Sequence, residues 1–122
     1  MLLDTYALVE LFQGTAKGKL IEEMLAKKGE NYCSIISIAE ISRWCWKNSA
    51  SPAKYMALTK ELCALLDVDE ELLAEAGRMR ALDKIGMGMI DCIIYATAQK
   101  HGLVVLTGDP HFRGLKDVEF LE

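Results

Sequence analysis

Leu103-Val104-Val105-Leu106-Thr107-Gly108-Asp109-Pro110 is the stretch that decides the fold. Its apolar run is continuous and rich in β-branched residues, and glycine bounds it on both sides, at Gly102 and Gly108. Such a run reads as a short strand buried on both faces, as in a parallel sheet. The preceding residues, 89–101, carry a helical pattern that Gly102 closes.

Working outward, the same alternation recurs. Residues 1–4 read as a short buried strand, 5–13 as a helix stopped by Gly14, and 17–28 as a second helix ending at Gly29. Tyr32–Ser34 reads as a strand leading into a helix over about 35–48. Ser51 and Pro52 open a helix running to about Leu65, the serine as cap and the proline in the first turn. Leu66–Val68 reads as a further strand. Asp69 then caps a helix through about Asp83, with Glu70 and Glu71 favoured in its first turn by the helix dipole. Gly86-Met87-Gly88 interrupts the pattern, and Val118–Leu121 reads as a last strand. Short apolar strands separated by helices imply an α/β sandwich around a parallel sheet. With no repeat, linker or low-complexity segment, residues 1–122 read as one domain.

Composition narrows the class further. At 52% hydrophobic residues the chain has ample material for a core, which excludes a disordered protein. Its apolar runs are too short to span a membrane, and Asp4 interrupts the only N-terminal apolar stretch, so neither a membrane anchor nor a signal peptide is expected. Cys33, Cys45, Cys63 and Cys92 lie in apolar surroundings without Cys-x-x-Cys spacing, which reads as reduced core thiols in a cytoplasmic protein. His101 and His111 do not combine with them at zinc-finger spacing. The net charge of −4 argues against a general phosphate-backbone binder.

Four acids stand out against apolar sequence: Asp4 after Met-Leu-Leu, Glu40 in Ser-Ile-Ile-Ser-Ile-Ala-Glu-Ile, Asp91 in Met-Ile-Asp-Cys-Ile-Ile-Tyr, and Asp109 after Leu-Val-Val-Leu-Thr-Gly. Parallel sheets place their sites beyond the carboxyl ends of the strands, and Asp4 and Asp109 both fall there. Asp91 shares a helical face with Ile94, Tyr95 and Ala98, so its carboxylate is expected to be partly buried and to need a cation or donors. Each acid also has a plain structural reading. Asp4 can cap the helix that starts at Thr5, Asp91 can be a first-turn acid, and Asp109 sits in a Thr-Gly-Asp-Pro turn. Glu40 has two readings: Ser37-Ile-Ala-Glu40 matches a capping box, whereas a helix start at Ser34 frees the Glu40 side chain. Gathered together, the four would form an oxygen-rich pocket for Mg²⁺ or Mn²⁺.

The order and context of these acids resemble the PIN domain family, in particular the VapC-type toxin ribonucleases. The matching pieces are Leu2-Leu3-Asp4-Thr5, the segment Ser34–Ile41, Ile90-Asp91 through Ala98, and Leu106-Thr107-Gly108-Asp109 before Phe112. The resemblance implies a three-layer α/β/α sandwich with a short central parallel sheet. It also implies a metal-dependent endoribonuclease with catalytic and metal-binding Asp4, Glu40, Asp91 and Asp109, supported by Thr5 and Thr107, and it favours Ser34 as the helix start. A homodimer and a small antitoxin protein are further implications. Two positions depart from the family pattern. His111 stands where many relatives carry a further acid, and Gly108 where many carry a basic residue.

Around this quartet, Arg43 and Lys47 share the helical face of Glu40, and Arg113 follows Asp109 by four positions. All three are candidates for contact with substrate phosphates or for a solvated rim. His111 reads as a solvated loop residue outside the catalytic set. Trp44 and Trp46, two positions apart on one helix, cannot both point inward. Two other readings compete with the nuclease: a Mg²⁺-binding phosphoacceptor (receiver-like) domain, and a catalytically silent scaffold with the same fold.

Overall fold

A computed structural model describes residues 1–27, 29–82 and 86–122. In chain order the elements are β1 (Leu2–Leu3), α1 (Thr5–Gln13), α2 (Ala16–Lys27), β2 (Tyr32–Ser34), α3 (Ser37–Lys47), α4 (Pro52–Leu62), β3 (Ala64–Leu66), α5 (Glu70–Leu82), α6 (Met89–His101), β4 (Val105–Thr107) and β5 (Val118–Phe120), with a 3-10 turn at Pro110–Phe112. The helix ends expected at Lys28 and about Asp83 lie outside the described residues.

The five strands form one sheet in the order β3-β2-β1-β4-β5, and every pairing is parallel. Strands this short survive in the centre because both faces are covered. The period of two along a strand sends Leu2 and Val105 to one face and Leu3 and Leu106 to the other. The first face packs on Leu72 and Ala76 of α5 and on Cys92 and Ile94 of α6. The second packs on Ala7 and Leu8 of α1, Ile21 of α2, and Ile41 and Cys45 of α3. Three layers result, as expected. All four cysteines are buried.

The strand order matters for function. From β1 the chain builds outward through β2 to β3, then returns across β1 to start β4 on its other side. The order therefore reverses between β1 and β4, and a crevice opens beyond their carboxyl ends. A receiver-type sheet runs β2-β1-β3-β4-β5, so this topology sets the phosphoacceptor reading aside.

Three expected boundaries are corrected. Helix α4 stops at Leu62 rather than near Leu65, and β3 is Ala64–Leu66 rather than Leu66–Val68. Cys63 is already extended (φ −138°, ψ 145°), and the Ala64 N–H donates to the Asn31 carbonyl at 2.8 Å. The run Leu62–Leu66 contains no Gly or Pro, so pairing with β2, invisible in the local sequence, decides where helix yields to strand. Likewise β4 begins at Val105 rather than Leu103. The Leu103 N–H donates to the Ala98 carbonyl at 2.9 Å, completing with left-handed Gly102 a Schellman close to α6.

Trp44 lies within the aromatic group of Phe12 and Tyr55, 5.4 Å from the latter ring, while Trp46 is 77% exposed. Helices α1 and α2 approach so closely that a Cβ on Gly18 would lie 2.2 Å from the Glu10 carbonyl oxygen. Gly18→Ala is therefore expected to lower stability by roughly 1–3 kcal/mol, because backbone must move to admit the methyl. Chemical denaturation checks this, and an unchanged midpoint would contradict the close approach.

Candidate metal centre

The β1–β4 crevice is built from Asp4 and Thr107. Asp4 ends β1 and caps α1: one carboxylate oxygen accepts from the Ala7 N–H at 2.9 Å. The other accepts from the Thr107 hydroxyl at the end of β4. The same hydroxyl oxygen accepts from the Asp109 N–H at 3.0 Å, so one threonine links two of the acids. Asp4 is only 3% exposed, and no lysine or arginine pairs with it among the described residues.

Glu40 lies in the first turn of α3. The capping box at Ser37 does not form: Ile36 is already helical, α3 has no side-chain cap bond, and the buried Ser37 hydroxyl has no partner among the described residues. An N-cap needs extended backbone, and that position lies upstream. There the Ser34 hydroxyl accepts from the Ile36 N–H at 3.2 Å. Glu40 is consequently free to reach α1, where the Thr5 hydroxyl donates to its carboxylate at 2.5 Å.

Asp91 is half-buried in the first turn of α6. Asp109 precedes the 3-10 turn and accepts from the His111 N–H at 2.9 Å, while the His111 Nδ1 lies 2.9 Å from the same oxygen. One ligand atom each from Asp91, Asp109 and His111 can be chosen so that all lie within 4.8 Å of one another. His111 is the residue that sequence reasoning left out. The signal was present in Asp109-Pro110-His111: proline after aspartate fixes a tight turn that folds the second residue back over the carboxylate.

Electrostatics binds these groups into one cluster. Burial lifts Asp4 to about 7, against the opposing hydrogen bonds from Thr107 and Ala7, and the charges of Asp91 and Asp109 push the same way as burial. Burial likewise pushes Asp91 up to about 6, reinforced by Asp109 and then Glu40 and opposed by His111 and the Gly88 backbone. The neighbouring carboxylates add to the rise at both Asp4 and Asp91, and a hard divalent cation among these oxygens would relieve that repulsion. Volume does not mark the place: a groove of about 490 Å³ between α5 and α6, lined by Leu72, Met79 and Tyr95 among others, contains none of the four acids.

The surrounding candidates divide. Arg43 and Lys47 are exposed on α3 without a hydrogen bond or ion pair among the described residues. Arg113 is engaged elsewhere, donating to Glu122 at 3.0 Å and lying 4.2 Å over the Phe120 ring. Gly108 has a packing reason: a Cβ there would meet Tyr6 Cε1 at 2.4 Å. Tyr6 thus occupies the space that a side chain at position 108 would need.

With this geometry in hand, comparison with known proteins gives the class. The model of the PIN domain matches residues 1–118, and the chain belongs to that family. Among solved structures it is similar to a toxin–antitoxin complex from Klebsiella pneumoniae (27% identity, TM-score 0.77, covering 97% of this chain and 94% of that one). It is also similar to VapBC2 from Rickettsia felis bound to a DNA fragment from its promoter (19%, TM-score 0.75, 99% and 98%). VapBC-1 from nontypeable Haemophilus influenzae is a third (21%, TM-score 0.72, 99% and 96%). Comparison with curated proteins gave no match.

The raised Asp4 and Asp91 pKa values set a pH dependence. Both groups hold their protons more tightly folded than unfolded, so their contribution to stability is greatest below about pH 4, the ordinary carboxylate value. It is lost as pH rises through about 6 for Asp91 and about 7 for Asp4. For buried Asp4 the loss is at most about 4 kcal/mol. Thermal unfolding in chelator should show Asp4→Asn more stable than the natural protein at pH 8, with the gap narrowing as pH falls towards 4. Parallel pH profiles for the two would contradict the assignment.

Proposed function

We propose that residues 1–122 act as one nuclease domain, a metal-dependent endoribonuclease that hydrolyses RNA phosphodiester bonds and serves as the toxin of a type II toxin–antitoxin pair. The observation that carries this reading is the cluster itself: Asp91, Asp109 and His111 offer donors within 4.8 Å, beside a buried Asp4 that no cation neutralises among the described residues. Membership of the PIN family and the toxin–antitoxin character of the similar structures support it.

In this reading Asp4, Glu40, Asp91 and Asp109 hold Mg²⁺ or Mn²⁺. A bound divalent ion supplies an activated water and neutralises charge developing on the phosphodiester. Thr107 fixes the Asp4 carboxylate and the Asp109 backbone, and Thr5 fixes Glu40. Arg43 and Lys47, exposed and unpaired among the described residues, take substrate phosphates. Arg113, already engaged by Glu122, is the weaker candidate for that role.

The protein is proposed to work in the cytoplasm as a homodimer, restrained by a small antitoxin protein that covers the acidic crevice. No helix among the described residues is long and apolar enough to cross a membrane.

Asp91→Asn is expected to lower metal-dependent RNA cleavage at least ~100-fold, and Thr5→Val and Thr107→Val about 10–100-fold, the range for partners that orient ligands. Cleavage assays with circular dichroism as a folding control check this. Undiminished cleavage by purified Asp91→Asn protein would contradict the mechanism. Mn²⁺ binding without any cleavage of RNA would favour the silent scaffold.

A further inference from the structure

We infer that His111 is a direct nitrogen ligand of the ion held by Asp91 and Asp109, and that it tilts the site towards Mn²⁺ over Mg²⁺. The inference rests on the metal-site reading above and adds a donor to the carboxylate quartet. Its ground is placement. A His111 ring nitrogen lies within 4.8 Å of carboxylate oxygens from both Asp91 and Asp109. The ring belongs to a fixed turn: Pro110 opens it, the Phe112 N–H donates to the Asp109 carbonyl at 3.0 Å, and the fully buried Phe112 ring packs 6.3 Å from that of Tyr95.

Backbone and side chain of His111 both address one Asp109 oxygen. The other Asp109 oxygen remains for the cation. A site of oxygens alone suits Mg²⁺, which demands near-ideal octahedral geometry, whereas an imidazole nitrogen is a better donor to first-row transition ions, Mn²⁺ the weakest-binding of them, than to Mg²⁺. A histidine donor beside two carboxylates therefore changes which ion the site prefers, and it adds no negative charge to a cluster whose carboxylates already repel.

The competing role is positioning: His111 holds Asp109 through the Nδ1 contact and never touches the ion. Electron spin-echo spectroscopy of the Mn²⁺-loaded protein separates the two, because a coordinated imidazole imposes ¹⁴N modulation and a neighbouring one does not. The only other histidine, His101, sits at the far end of α6, about 15 Å along the axis from Asp91. His101→Ala should keep the modulation, and His111→Ala and His111→Asp should abolish it. Competition titration should show the Mn²⁺ to Mg²⁺ affinity ratio falling about tenfold in His111→Asp, which restores an all-oxygen set. Mn²⁺ bound without imidazole modulation in the natural protein would overturn the inference and leave the carboxylate site standing. Absence of Mn²⁺ binding would overturn both.

Discussion

A carboxylate buried at the reversal point of the sheet is the constraint on which the rest of the structure depends. Asp4 ends the central strand, caps the first helix and receives the Thr107 hydroxyl from the neighbouring strand. Three elements therefore meet on one side chain. Burial alone would make that group a liability, since an unpaired buried charge is costly. The hydrogen bonds reduce the penalty without removing it, and Asp4 stays near 7. Stability is lowered there, and carboxylates perturbed by burial and neighbouring charge in this way cluster at functional sites.

The other acids arrive by different routes. Asp109 is tied to Asp4 through Thr107, so the distance between the ends of β1 and β4 fixes their relation. Glu40 comes from the opposite side, steered by Thr5 once Ser34 has taken over the turn before α3. Asp91 is carried by α6, whose Cys92 and Ile94 are sunk in the core, so the start of that helix has little freedom to move. Gly108 shows how closely the crevice is lined: the Tyr6 ring fills the place that any side chain at 108 would take.

Much of this was legible in the chain itself. The β4 stretch declared a doubly buried strand, and glycines at 14 and 102 marked the helix ends that the structure shows as left-handed caps. Asp4 and Asp109 could be placed beyond strand ends because parallel sheets are built that way. Three things were not readable, each for a physical reason. The end of α4 lies in an unpunctuated apolar run and is decided by pairing with β2. The Ser34 and Ser37 alternatives differ only in backbone geometry that local sequence permits equally. The nearness of His111 to Asp91 arises from a turn that brings together residues twenty positions apart. Periodicity describes faces of single elements, and it is silent on which faces meet.

The central claim is that one divalent ion site exists at the carboxyl edge between β1 and β4. Anomalous diffraction from crystals equilibrated with Mn²⁺ tests it most directly. The prediction is a manganese peak bounded by Asp91 and Asp109, with Asp4 beside it. A map with no peak in that crevice, or with manganese bound only at other surface acids, would contradict it.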